Sequence, residues 1–144
     1  MTAPPIRSEI AIPSDLSEAR RVQDDIEEAL QSSQYGERDI FSIRLALEEA
    51  LVNAIKHGNQ MDPDKRVFIT YAVTPELFEI RIVDEGPGFN PLDVPDPTAP
   101  ENIERPCGRG LLLIRNFMTS VEYVGRGNIV TMSKLRNGTT DDSE

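Results

Sequence analysis

LALEEALVNAIKHGN, residues 45–59, is the stretch whose reading decides the fold. At 3.6 residues per turn, Glu49, Asn53 and the pair Lys56 and His57 fall at i, i+4 and i+7/i+8, on one stripe of a helix. Leu47, Leu51, Ala54 and Ile55 fall on the other side and form a core face. A polar stripe is ordinarily solvated, and each of these residues taken singly is explained that way. The sorting of chemical types adds a second reading. A carboxylate serves as a base, an amide oxygen is a hard ligand suited to magnesium, and a lysine meets phosphate.

Working outward, Ser8 to Pro13 alternate and end on a proline, which predicts a short first strand at a sheet edge. Ser14 and Asp15 offer N-caps, and Glu18 completes a capping-box pattern with Asp15. A helix then runs to about Ser32 on the apolar positions Leu16, Ala19, Val22, Ile26 and Leu30. Its outer face carries Arg20 and Arg21 among acids, a pattern that solvation with acidic neighbours explains. The segment SSQYGERD breaks this helix, and the second one starts near Glu37 or Arg38 and ends near Gly58 as a C′ residue. Lys56 and His57 in its last turn suit the negative end of the helix dipole.

Downstream of the helix, Arg66 to Val73 and Leu77 to Asp84 alternate about a turn containing Pro75. They predict an antiparallel hairpin in the middle of a sheet, with Val67, Ile69, Tyr71 and Val73 matched by Phe78, Ile80 and Ile82. Between Pro87 and Pro106 lie six of the eleven prolines, so neither a helix nor a central strand runs there. A stretch of that kind in a small domain is more often a lid or binding loop than a plain connection. Gly110 to Met118 reads as a third helix, and Ser120 to Gly125 with Asn128 to Leu135 as a second hairpin. The tail, residues 136–144, is polar and acidic and reads as disordered.

The chain of 144 residues is long enough for one hydrophobic core and too short for two of ordinary size. A single domain is expected, with its core over about residues 8–135. A net charge of −10 excludes a basic phosphate-binding face and argues against direct nucleic-acid binding, while leaving room for a nucleotide held by a few local donors. No apolar run approaches the roughly 20 residues that span a bilayer, and MTAPPIRSEI lacks a signal-peptide core. A cytoplasmic protein without membrane contact is expected. The single cysteine, Cys107, agrees with a reducing compartment, and neither it nor the lone His57 suffices for a metal cluster.

Two further motifs bear on the stripe. Asp84-Glu85-Gly86-Pro87-Gly88 closes a strand. An aspartate there accepts a hydrogen bond from an amino group while bare glycine backbone admits a flat ring, although D-x-G-x-G is also an ordinary turn. Gly108-Arg109-Gly110 ends the proline-rich stretch and opens a helix, where backbone N–H groups and the positive helix end make an anion site or, equally, a hinge. No GxxxxGK[ST] occurs, so the chain carries no P-loop.

In order and spacing, E-x-x-x-N-A-x-K-H-G, then D-x-G-x-G, then a long lid, then G-x-G opening a helix resemble the GHKL (Bergerat-fold) ATP-binding superfamily. Within it, GRGLLLIRNFMTSVEY and GNIVTMSKL, with the N-terminal strand and helix, resemble the anti-sigma-factor serine-protein kinases of bacterial partner-switching systems. The resemblance implies an α+β fold, a two-layer α/β sandwich with a mixed, mostly antiparallel sheet, helices on one face and an ATP lid. It implies ATP and Mg2+ as cofactors, Asn53 as magnesium ligand and Glu49 as catalytic base. Asp84 would hold the adenine amino group, with Gly86 and Gly88 forming its pocket. Gly108, Arg109 and Gly110 would bring main-chain amides to the phosphates, and Lys56 would add a positive charge. Some kinases of this group carry an arginine directly beside the glycine motif. Here Arg105 is separated from Gly108 by Pro106 and Cys107, so Arg109 is the alternative cation.

The implied function is a serine/threonine-protein kinase and anti-sigma factor. It would phosphorylate a small anti-sigma-factor antagonist, sequester a sigma factor and form a homodimer, with the helix bearing Arg20 and Arg21 as the candidate docking surface. Two other readings fit the sequence. In one, ATP is only a conformational ligand of a non-catalytic partner-binding module, against which the retained Glu49 argues. In the other, the chain is a detached histidine-kinase-like ATPase domain. Such modules usually carry asparagine where Glu49 stands, and no phosphoacceptor helical hairpin precedes the domain here.

Overall fold

The structure, a computed structural model, describes residues 5–86, 118–124 and 128–136. Strand β1 (Ile6–Pro13) leads into helix α1 (Leu16–Ser32) and then α2 (Glu37–Val52), which continues as a π-helical turn over Asn53–Gly58. Strands β2 (Arg66–Val73), β3 (Leu77–Asp84), β4 (Ser120–Val124) and β5 (Ile129–Leu135) follow. They form one five-stranded sheet in the order β1-β2-β3-β5-β4. The expected sheet was mixed and mostly antiparallel; all four described pairings are antiparallel. β1 takes an edge and the β2–β3 hairpin the middle, as the alternation predicts.

Alternation decides which face is covered. Val67, Ile69, Tyr71 and Val73 on β2 and Phe78, Ile80 and Ile82 on β3 are buried, and Val130 and Met132 extend the same face on β5. The helices cover it with Ala19, Val22, Ile26 and Leu30 from α1 and Ile43, Leu47, Leu51 and Ile55 from α2 and its π turn. Burying one such side chain stabilises by about 1.5–3 kcal/mol, so a single layer of this kind dominates the fold. Arg44 on α2 pairs with Glu27 on α1, and an exposed bond of this sort adds little by comparison.

Three expectations are corrected. Glu18 does not close a capping box. Asp15 caps α1 alone, accepting from the Ser17 hydroxyl at 2.6 Å and the Ser17 N–H at 2.8 Å, which hold its carboxyl below the usual range, and Glu18 pairs with Arg21 at 3.5 Å. The second helical segment ends at Gly58 as expected, but its last turn, from Asn53, is π rather than α. The Asn59 N–H reaches back five residues to the Ala54 carbonyl at 2.8 Å, which widens the last turn. Arg136, placed at the head of a disordered tail, is instead bonded to the body. Its N–H donates to Glu76 O at 3.0 Å and its guanidinium to the Pro75 and Gln34 carbonyls. The rest of the tail and the expected third helix from Gly110 lie outside the described residues, except for Met118, which is buried.

Candidate functional site

Because Leu47, Leu51, Ala54 and Ile55 are all drawn into the core, the opposite stripe of α2 is turned away from it. Glu49 and Asn53 on that stripe are half-buried, one turn apart, and Lys56 and His57 are exposed in the π turn that follows. Both basic residues lie at the negative end of the helix dipole. Among the described residues, no hydrogen bond or ion pair engages the side chains of Glu49, Asn53, Lys56 or His57. The stripe thus presents a carboxylate, an amide and two basic groups that the described fold does not use.

The second motif meets the first. Asp84 ends β3 with the inward parity of Phe78, Ile80 and Ile82, so it is buried on the helix side of the sheet. Its Oδ1 accepts the Gly86 N–H at 2.9 Å. Asn128 fixes its backbone twice, accepting the Asp84 N–H at 3.0 Å and donating from Nδ2 to Asp84 O at 3.1 Å. Gly58, the last residue of the π turn, packs directly on this aspartate. A Cβ on Gly58 would collide with the Asp84 carboxyl group, and a Cβ on Gly86 would overlap the Gly58 carbonyl oxygen. Both glycines are therefore demanded by close approach.

Sequence reasoning missed the residue that closes this junction. Asn59 is fully buried. Its Nδ2 donates to Ser14 Oγ and to Arg66 O, each at 3.0 Å, and its Oδ1 accepts the Glu85 N–H at 2.8 Å. Ser14 in turn donates to Lys65 O at 2.9 Å. Immediately after Asn59 the chain reverses through Gln60 and Met61 at φ 54° and 59°. Left-handed backbone of this kind costs about 1–2 kcal/mol per non-glycine residue, so neighbouring bonds must hold it. An asparagine after a helix-ending glycine looks generic in sequence, and only its burial distinguishes it. Of the other expected site residues, Gly86 is buried in this junction, while Gly88, Gly108, Arg109 and Gly110 lie outside the described residues.

The Asp84 carboxylate at the end of the central strand thus meets Gly58, the last residue of the helical segment whose outer stripe carries Glu49 and Asn53. Residues 12–134 match the family model described as the histidine kinase-like ATPase domain. The chain belongs to that family. The matched span contains Glu49, Asn53, Asp84 and Asn59. Among similar proteins, this ATPase domain is 34% identical over 102 residues to the anti-sigma F factor of Oceanobacillus iheyensis, covering 67% of this chain and 69% of that protein. It is 33% identical over 105 residues to the anti-sigma F factor of Halalkalibacterium halodurans, 71% of each chain. With the serine-protein kinase RsbW of Listeria monocytogenes it shares 29% identity over 108 residues, 68% of this chain and 67% of that one. The RsbU and RsbW domains of a Mycobacterium tuberculosis protein, solved as a crystal structure, share the fold at a TM-score of 0.62 and 18% identity. That similarity covers 93% of this ATPase domain, which spans about a third (32%) of the solved chain.

Proposed function

We propose that the chain is a Mg-ATP-dependent serine/threonine-protein kinase and anti-sigma factor, which phosphorylates a small antagonist protein and sequesters a sigma factor. The observation that supports this reading is the contact of Asp84 with Gly58, at the end of the helical segment whose outer stripe carries the uncommitted Glu49 and Asn53. Relatives named anti-sigma F factor and serine-protein kinase support the same activity.

Asp84 accepts a hydrogen bond from the adenine amino group at the strand end, where bare glycine backbone rather than side chains packs against it. Asn53 supplies an amide oxygen to magnesium. The donor set fits, since a hard neutral oxygen suits this ion and phosphates and water complete its shell. Among the described residues, no group of three or more His, Cys, Asp or Glu side chains could hold a metal without them. When bound, magnesium neutralises charge on the phosphates. Glu49 takes the proton of the acceptor hydroxyl as that oxygen bonds to the terminal phosphorus. The bond from this phosphorus to the bridging oxygen breaks, and ADP leaves. Such transfer needs positioning and charge neutralisation more than covalent chemistry from the protein. Lys56 contributes positive charge, and Gly88, Gly108, Arg109 and Gly110 are assigned to the pocket and phosphate amides by their motifs. Exposed Arg20 and Arg21 on α1 are the docking candidates for partners, and the working form is a homodimer. A phosphate added to the antagonist places new negative charge at its docking surface and weakens that complex.

Purified protein incubated with labelled Mg-ATP and the small antagonist-domain proteins encoded near its gene is expected to phosphorylate at least one of them. No transfer to any would overturn the kinase reading. Asn53→Ala is expected to abolish Mg-ATP binding and transfer together, and retention of both would overturn the metal assignment.

A further inference from the structure

We infer that Asn59 is the positioning residue for the nucleobase end of the site, setting where the Asp84 carboxylate stands. This rests on Asp84 being the group that recognises the base. Three pieces of backbone converge at Asn59: the end of the π turn, the start of β2 at Arg66, and the Glu85 N–H directly after Asp84. Its side chain bonds the last two and the Ser14 hydroxyl, using both Nδ2 protons and Oδ1, and none of it reaches solvent. Its own backbone N–H makes the five-residue bond that widens the π turn.

The contact that Asn59 holds has no slack. Gly58 and Gly86 meet with no room for a Cβ on either, and Asp84 lies between them. A shift of the Glu85 backbone therefore moves Asp84 relative to Gly58, and the space for the base changes with it. Asparagine suits the task because its planar amide offers donors and an acceptor at fixed angles, so one side chain can register two strands against a helix end. The left-handed pair Gln60 and Met61 directs the chain away at once, which keeps Asn59 pinned between the elements.

The test compares ATP with GTP, because a misplaced Asp84 loses its preference for an amino group over a carbonyl. Titration calorimetry with Mg-ATP and Mg-GTP is run on the full chain, on Asn59→Ala and on Ser14→Ala, with folding checked by circular dichroism and thermal melts. For Asn59→Ala the expected result is about a tenfold loss of ATP affinity with a smaller loss for GTP, so that discrimination narrows. Ser14→Ala removes only the outer bond and is expected to show the same narrowing at about threefold, which keeps the test decisive should Asn59→Ala not fold. A folded variant with unchanged ATP/GTP discrimination, or equal losses for both nucleotides, overturns the inference. Asp84→Ala separates the two layers of argument. If it keeps full ATP affinity, the base-recognition reading itself fails; if it loses affinity while Asn59→Ala and Ser14→Ala do not, only the positioning role fails.

Discussion

The two ends of the central strand β3 are closed in opposite ways. At its start, side chains do the work. The Tyr35 hydroxyl donates to Thr74 O at 2.8 Å, Arg136 ties the 74–76 turn to Gln34, and Lys134 on β5 stands 3.6 Å from the buried Asp39 of α2. At its finish, two glycines meet beside Asp84, and two asparagines, Asn59 and Asn128, supply the bonds. The first end spends its ionisable groups on holding α2 to the sheet. On the helical segment that leads into the second end, Glu49 and Asn53 are half-buried and outside the hydrogen-bonding of the described fold.

The contrast breaks most sharply at Glu49. Glu49→Ala is expected to cut phosphoryl transfer on the order of 10³-fold, equivalent to about 4 kcal/mol, with ATP affinity and melting temperature little changed. A transfer assay alongside nucleotide titration checks it, and an unchanged rate would place Glu49 with the solvated residues. At the other end the signature reverses. Lys134→Ala removes the cation that stands 3.6 Å from the buried Asp39 carboxylate and is expected to cost about 3 kcal/mol in denaturant unfolding, with ATP affinity per folded molecule preserved.

Gly86→Ala sharpens the comparison by hitting packing and site at once. The added methyl must displace the Gly58 backbone, and a loss of about 2 kcal/mol in stability is expected together with loss of ATP binding. Retained binding would show that the junction tolerates what its geometry forbids. The smallest effect is alkaline. Burial pushes the Tyr35 hydroxyl up to about 12, so the folded state keeps a proton that the unfolded chain releases near 10. Stability linked to this group is whole below pH 10 and is lost as pH rises through 12. Between pH 9 and pH 11 the parent protein is expected to lose about 1.4 kcal/mol more than Tyr35→Phe in urea unfolding. Tyr71, also raised by burial, leaves a residual slope in both.

Periodicity carried the element plan. The bounds of β2 and β3 and the buried faces of both helices follow from two-residue and 3.6-residue patterns, because burial acts on each side chain by its parity. Two of the residues that periodicity missed share one cause. The anchored Arg136 and the buried Asn59 depend on partners far away in the chain: Asn59 bonds Ser14 and Glu85, at separations of 45 and 26 residues. Local spacing contains no such information.

The chain's own pattern determined that one apolar layer would form between helices and an antiparallel sheet, and it marked Glu49, Asn53 and Asp84 as chemically suited to a nucleotide. Tertiary structure alone decided that the end of α2 would press on the end of β3, with Gly58 against Gly86. The reason is that residue type and spacing set which side chains leave water, whereas the distance between two motifs is fixed only when buried polar groups such as Asn59 find their partners across the fold.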